Sequence, residues 1–534
     1  MDKPIDDILI VGGGTAGWLT AAFLARRLAT ARPGGVKITL IESREIGIIG
    51  VGEGTFPSIM DTMKAIGVDE ARFMRGANAA FKQGIKFVDW THAPHGRRHS
   101  HYYHPFAAPR LLGGGIDLAP YWLMGLAGKA PLSDAVTLQD QVCEAGLGPK
   151  RIDDPQYGGP MSYAYHFDAG KLAGLMKEVG KELGVTHLLG NVEGVNLAED
   201  GSIASVSTRE HGELSAGLYI DCTGFAGALI GKALGSKWID RNDVLFVDRA
   251  LAMQVPYDRP DARVACTTIS TAHEAGWTWD IGLPERRGIG YVFSSRHTDE
   301  ARAEEVLRGY IGQASEGLTP RLLKLRLGHR EKHWIKNCVA VGLSGGFLEP
   351  LESTGIVLIE AAIWMLAKMF PRAGGMESTA KVFNEAMQDR YARCIDFIKL
   401  HYALSKRTDN AFWTDNADPA SWTESLRESV DMWRWRPPGQ FDFPNIHESF
   451  KWFNYQYILY GMGFKSDLDP NAAAYPHAEA AKAEFERVRG AQKKAVEALP
   501  DHRALLDEVY AHGFRARAPG ALDSAAAGAD GLQR

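Results

Sequence analysis

Ile8-Leu9-Ile10-Val11-Gly12-Gly13-Gly14-Thr15-Ala16-Gly17-Trp18 decides the fold. A short β-branched run meets a glycine turn, and the turn opens into a helical pattern through Leu19, Ala22, Phe23 and Leu24. A second strand, Val36 to Ile41, ends in Glu42. Strand, glycine turn, helix and acid-ended strand make a βαβ unit of the dinucleotide-binding kind. In such a unit Gly12, Gly14 and Gly17, with Thr15 and Ala16 between them, let the backbone approach a pyrophosphate at the helix N-terminus. Glu42 would accept hydrogen bonds from ribose hydroxyls and repel a 2′-phosphate, which leaves FAD or NAD.

Working outward, Gly217 to Ile220 and Cys338 to Val341 are further apolar strands, each with a glycine just past its end, Gly224 and Gly342. Ligands bind at such strand ends in open α/β sheets. Between them Leu251 to Val255, Ala265 to Ile269, Trp277 to Ile281 and Gly290 to Phe293 read as a second, mostly antiparallel sheet inserted into the nucleotide domain. Helical periodicity dominates from Gly355, through Ala361 to Phe370, Ala380 to Leu404 and Ala480 to Tyr510. The fold class is therefore α/β, a Rossmann-type domain with an inserted antiparallel sheet and a mostly helical C-terminal region. The division expected is 1–375 for the nucleotide-binding module, 376–515 for a helical cover over the substrate, and 516–534 for a disordered tail of Ala, Gly and Asp.

Composition narrows the function. The 534 residues are 45% hydrophobic and 23% charged, enough to bury a large core. Sixty basic against sixty-five acidic side chains, net −5, include no basic block to grip nucleic acid. The most apolar stretch, Gly355 to Phe370, is broken by Glu360 and Lys368 and falls short of the ~20 apolar residues of a membrane span. With no leader-like N-terminus, a cytoplasmic location is expected. Five scattered cysteines with no CxxC pair fit reduced thiols. His95, His99, His101 and His104 match no common zinc spacing, so no metal is expected.

A second glycine loop, Gly50-Val51-Gly52-Glu53-Gly54-Thr55, follows Glu42 by only eight residues and would let a flat ring system approach the backbone. Here the chain resembles the flavin-dependent halogenases of the tryptophan halogenase family. The resemblance rests on GGGTAGW at 12–18, GVGEGT at 50–55, FKQGIKF at 81–87, YHPF at 103–106, GWTWDI at 276–281 and GFLEPLESTGI at 346–356, and extends from Ile8 to about Phe464. It implies FAD, used as FADH2 delivered by a separate flavin reductase, with O2 and chloride or bromide as co-substrates and a small aromatic substrate. Gly52, Glu53, Gly54, Thr55 and Gly342 would join the first glycine loop around the cofactor. A homodimer is left open as the assembly.

Electrophilic halogenation of an aromatic ring needs a held hypohalous acid, a group that stabilises the ring cation, and a route for its proton. By the resemblance, Lys82 is the catalytic lysine, in what reads as a helical pattern from Phe81 to Lys86. Its ammonium would polarise hypohalous acid, or its neutral amine would form a haloamine. Lys86, one helical turn on, is the decoy. Glu352 is the catalytic carboxylate, with Glu349 three residues earlier as an alternative and Ser353 placed to orient it. The backbone N–H groups of Thr354 and Gly355, at a helix N-terminus, suit a halide. Trp277 and Trp279 share one face of a strand and would stand as gatekeepers between flavin and substrate. His104 and Phe106 would sandwich the substrate ring.

Glu448 to Tyr457 holds the ingredients of the family's clamp for free tryptophan without its spacing, so Trp452 and Phe453 are expected only as a third aromatic wall. An indole derivative is as plausible a substrate as tryptophan. The competing reading is a single-component flavin hydroxylase, but its usual Gly-Asp pair is absent and Gly342-Leu343-Ser344 stands there instead. A non-catalytic FAD-binding protein is a weaker rival, since Lys82 and Glu352 are both in place.

Overall fold

In the structure, a computed structural model that describes residues 4–47, 50, 52–96, 98–445 and 448–515, the opening strand Asp7–Val11 lies inside a six-stranded sheet. Strand order across the sheet is Trp334–Ile335, Cys338–Ala340, Leu218–Asp221, Asp7–Val11, Lys37–Glu42 and Thr186–Leu189. All pairings are parallel except the terminal hairpin, and Ile10 sits between Ile220 and Leu40. Ile8, Leu9, Ile10 and Val11 are all buried, as an interior parallel strand covered on both faces requires. The helix Thr15–Arg27 follows directly and buries every residue from Gly17 to Ala25.

The two late strands return to this sheet as the sequence suggests, and the inserted sheet is there. It has seven strands, in the order Arg321–Lys324, Arg249–Pro256, Arg286–Phe293, Gly276–Gly282, Thr268–His273, Gly84–Val88 and His101–Pro105. Only the pairing of Thr268–His273 with Gly84–Val88 is parallel. The strand Gly276–Gly282 is buried along its whole length and carries Trp277 and Trp279.

One expectation fails. The segment 81–86 is not helical: Ala80–Lys82 is the edge of a three-stranded sheet with Ala164–Phe167 and Glu53–Gly54, and Gly84–Val88 belongs to the seven-stranded sheet. Phe81, Gln83, Ile85 and Phe87 alternate with Lys82, Gly84 and Lys86, a period of two that the i, i+4 spacing of Phe81 and Ile85 obscures. Gly84 settles the matter, with φ +153° and its α-carbon so close to His104 that an added Cβ would lie 2.5 Å from the His104 carbonyl oxygen. Lys82 therefore stands at the junction of two sheets.

The C-terminal third is helical, with Thr354–Lys368, Met376–Ala403, Trp452–Gly461, Ala478–Ala498 and His502–His512 as its main pieces. The last two break around Pro500, where a single helix was read from 480 to 510. One cluster of buried side chains runs from Ile5 to Val509, so the helices and the sheets share a core. Glu360, inside the apolar helix, is buried and accepts hydrogen bonds from Ser58 Oγ at 3.0 Å and Thr62 Oγ1 at 2.5 Å. Among the described residues no helix is long and apolar enough to cross a membrane. The stretch 516–534, read as a tail, lies outside the described residues.

Candidate active site

The first glycine loop is shaped by contact with its neighbours. Gly12 has φ +108°, and a side chain there would collide with the Cys222 carbonyl; one at Gly17 would collide with the carbonyl of Gly12. Gly14 is different. It caps the helix Thr15–Arg27 without a side-chain hydrogen bond, no acid stands in the first turn, and the space where its Cβ would be is clear to 4 Å. Uncapped N–H groups facing open space fit a pyrophosphate. A Cβ on Gly342 would lie 2.6 Å from the Ala16 Cβ, so that loop closes on the same turn. Thr15 spends its hydroxyl on the Ala169 carbonyl, 3.2 Å away. Glu42 ends its strand half-buried, with Trp18 Nε1 donating at 3.1 Å and Lys177 Nζ at 2.9 Å, and with His187 Nε2 2.9 Å away.

The second loop lies against Lys82 and Ser353. Gly52 has φ +120°, and Glu53 pairs with Phe167; burial, then the charge of Asp168, pushes the Glu53 carboxyl up to about 7. A Cβ on Gly54 would lie 2.6 Å from Ser353 Oγ and 2.9 Å from Lys82 Nζ. The loop thus brings a cofactor-side backbone into contact with the lysine. Thr55 takes no part in such a surface: it is fully buried, and its hydroxyl both donates to the Tyr165 carbonyl at 2.9 Å and accepts from the Tyr165 N–H at 3.1 Å. Its place among the cofactor-binding residues is corrected to that of a pin holding the loop to Ala164–Phe167.

Lys82 is completely buried, with Nζ donating to Ser353 Oγ at 2.9 Å and standing 5.2 Å from the centre of the Phe106 ring. Burial lowers its pKa to about 7, against the opposing pull of Glu352. The amine is thus divided between its two protonation states near neutral pH. Lys86, on the next strand, reaches outward instead and pairs with Glu144 at 2.7 Å.

Glu352 and Ser353 are both left-handed, with φ of 64° and 56°. Two adjacent non-glycine residues there cost on the order of 1–3 kcal/mol each, a strain that persists where the surroundings fix it and that clusters at active sites. What the turn achieves is to send the two side chains to different partners. Ser353 does not orient Glu352, as the sequence suggested; its hydroxyl receives the Lys82 ammonium. The Glu352 carboxylate is held by two histidines: His104 Nδ1 lies 2.9 and 2.8 Å from its two oxygens, and His401 Nε2 lies 3.0 Å from Oε1. Burial would raise this carboxyl, but the two imidazoles outweigh it and hold it at about 2. Glu349 contrasts with it. Burial pushes Glu349 up to about 8, although Tyr402 donates to it at 2.5 Å and Trp277 and Lys399 also favour its charge.

Trp277 and Trp279 do share a face, edge to face with ring centres 6.4 Å apart, both almost wholly buried. Trp279 faces Gly290 across the sheet, and any side chain at 290 would collide with the indole. Gly290 thus makes the room that the Trp279 ring fills.

On the substrate side the expectations are partly redistributed. Phe106 stands beside Lys82 and Phe56. His104 is nearly buried; one edge is spent on Glu352 and the other on Asn454 Nδ2 at 2.9 Å, and its ring neighbours are Phe397, Phe450 and Tyr457 at 5.6–6.4 Å. Its first task here is to hold the carboxylate. Trp452 and Phe453 open the helix Trp452–Gly461, half-buried and edge to face, while the same turn delivers Asn454 to His104. Phe450 stacks on Phe397 at 3.8 Å and, with Tyr457, is one of two aromatics of this segment that reach the His104 ring, missed because only Trp452 and Phe453 were weighed. Thr354 and Gly355 start the helix Thr354–Lys368, Thr354 buried and Gly355 exposed with clear space above it. Of the other histidines in the run, His99 bonds Asp89 at 2.6 Å and His101 bonds Glu144 at 2.8 Å.

The chain matches the family model "Tryptophan halogenase" over residues 7–477. It is 35% identical to 7-chloro-L-tryptophan 6-halogenase of Kutzneria sp. (strain 744), covering 93% of this chain and 98% of that protein. It is 34% identical to tryptophan 7-halogenase of Lentzea aerocolonigenes, covering 96% and 100%. Among solved structures, a tryptophan halogenase from Shewanella frigidimarina superposes with a TM-score of 0.92 at 39% identity, over 96% of this chain and 99% of that one. A flavin-dependent halogenase from Brevundimonas sp. BAL3 superposes with a TM-score of 0.84 at 34% identity, over 95% and 100%. Nothing in these likenesses favours a hydroxylase. A glycine cradle at a helix N-terminus, a buried lysine and a histidine-held carboxylate thus stand in a chain that belongs to the tryptophan halogenase family and is a flavin-dependent halogenase.

Proposed function

We propose that this enzyme halogenates an electron-rich aromatic ring of the indole type, with FAD, O2 and chloride or bromide, and that a separate flavin reductase supplies the reduced cofactor. The residues that would hold FAD are Gly12, Gly14 and Gly17 with Ala16, Glu42, and the loop residues Gly52, Glu53, Gly54 and Gly342. Bound there in its reduced form, with O2, it supplies the oxidising equivalent that converts halide to hypohalous acid. The N–H groups of Thr354 and Gly355 are the proposed halide contacts.

Everything after that is done by side chains of this chain. Lys82 holds hypohalous acid by its amine and presents the halogen to the ring. Ser353 sets the direction of Nζ. Glu352, fixed in its ionised form, stabilises the positive charge that develops when the ring is attacked. Trp277 and Trp279 separate the substrate from the cofactor. Phe106, His104 and Phe450, with Trp452 and Phe453 at the rim, supply aromatic surface for the flat substrate.

The observation that carries this reading is that one turn serves two buried groups of opposite charge: Ser353 takes the buried Lys82 amine at 2.9 Å, and the adjoining Glu352 carboxylate is held by His104 and His401. Perturbed groups of opposite tendency at one place are a mark of chemistry rather than packing. The test is incubation with a flavin reductase, NADH, FAD and bromide or chloride against indole, tryptophan and larger indole-bearing compounds, read by mass spectrometry. A halogen isotope pattern on any of them supports it; consumption of reduced flavin with hydroxylated product only would overturn it.

A further inference from the structure

His401 lies near the end of the long helix Met376–Ala403 and is completely buried. Its Nδ1 is 2.8 Å from the Phe397 carbonyl oxygen, one turn earlier, and its Nε2 is 3.0 Å from Glu352 Oε1. A carbonyl oxygen only accepts, and so does a carboxylate. Each contact is a hydrogen bond only if the ring nitrogen donates, and an imidazole that donates at both nitrogens is an imidazolium.

His104, on the other side of the carboxylate, is set differently. Asn454 Oδ1 accepts the Lys451 N–H at 2.7 Å, which turns the amide so that Nδ2 faces His104 Nε2 at 2.9 Å. An amide nitrogen donates, so Nε2 accepts and the ring's proton sits on Nδ1, pointing at both Glu352 oxygens. One imidazole is thereby a cation and its counterpart a neutral donor. The other titratable groups facing Glu352 are Lys82 from the strand Ala80–Lys82 and Tyr102 from the strand His101–Pro105. A buried carboxylate needs a standing counter-charge, and an amine that is only partly protonated does not provide one.

We propose that His401, donating from both ring nitrogens, is a positioning residue, and that with the Asn454–His104 pair it keeps Glu352 ionised and aimed, as a fixed charge for the ring cation. The proposal rests on the halogenase reading, in which Glu352 meets that cation. It assigns Glu352 an electrostatic task, because a carboxylate so held is a poor resting place for the ring proton.

The first readout does not depend on turnover: 15N NMR of histidine-labelled enzyme, with the His401 resonance identified by its loss in His401→Gln. A protonated signature at both His401 nitrogens is expected at pH 7, and a neutral tautomer there overturns the proposal. In the halogenation assay His401→Gln, which keeps a donor and loses the charge, should lower kcat about tenfold at unchanged KM and move the acidic limb of kcat upward by at least one pH unit. An unmoved limb overturns it, since a merely structural role would lower kcat at every pH alike. Asn454→Asp, at a half-exposed position, puts an acceptor before Nε2 and should make His104 a second imidazolium in the same spectra; a His104 that stays neutral overturns the tautomer assignment. If wild-type enzyme gave no halogenated product, the halogenase reading would fall while the spectra still decided the state of His401.

Discussion

Lys82 Nζ and Ser353 Oγ meet at 2.9 Å although 271 residues separate them in the chain, and Gly54 is the residue that lets them meet. A methyl group at 54 would stand 2.6 Å from the hydroxyl and 2.9 Å from the amine. Gly54 has no positive φ, so alanine there is not strained by backbone. Gly54→Ala should therefore leave the melting temperature within a few degrees of wild type and FAD bound, yet lower halogenated product by tenfold or more. Product yield against flavin retention checks it, and near-normal yield would mean that the pair is dispensable.

Lys82→Ala should bind FAD and consume the reduced cofactor at near wild-type rate while yielding no halogenated substrate. Hypohalous acid released without a holder would instead appear in solution, where a thiol or a halogen-accepting dye can trap it. Product comparable to wild type would remove the lysine from the mechanism.

Glu352→Gln keeps the shape and loses the charge, so product formation should fall about 10²–10³-fold, the range seen when a preorganised electrostatic group is removed. Flavin binding should be unchanged. The carboxyl also contributes to stability: its pKa is depressed to about 2 in the fold, below the ordinary 4.5, so its contribution is present above the ordinary value and is lost as pH falls from about 4.5 toward 2. Wild type should lose stability across that window faster than Glu352→Gln, by thermal melts at pH 5, 4 and 3.

Sequence motifs were enough to single out Lys82, Glu352 and the tryptophan pair, because each sits in a short run that is legible on its own. They were not enough to find what holds them. His401 lies 49 residues from Glu352, in a helix whose periodicity says only that one face is buried, and Asn454 reaches His104 across 350 residues. Neither spacing leaves a local trace. The helix read at 81–86 failed for a related reason: two apolar residues four apart fit both periods, and only the partner strands decide. Thr55 was drawn into the cofactor set by its motif, whereas its hydroxyl faces the Tyr165 backbone.

Gly290→Ala tests the gate. The Trp279 indole occupies the space above Gly290, so a methyl group must displace it or bend the strand, at a cost of about 1–3 kcal/mol. The expected result is a lower melting temperature together with a lower ratio of halogenated product to flavin consumed, because the wall between cofactor and substrate is displaced. A normal ratio in the folded variant would take Trp279 out of that wall.

Lys82→Met should be more stable than wild type, in a pH-dependent way. The buried amine titrates near 7 where an unfolded lysine holds its proton to about 10.5. Between those values the unfolded chain binds the extra proton, so wild-type stability rises with pH through the window. Below 7 both states are protonated and the folded protein bears the whole cost of a buried ammonium. The gain in melting temperature from Lys82→Met should thus be largest at pH 6–7 and shrink steadily toward pH 10. A gain that did not change with pH would mean that the methionine acts only by packing, and that the amine in the fold is not held near neutrality.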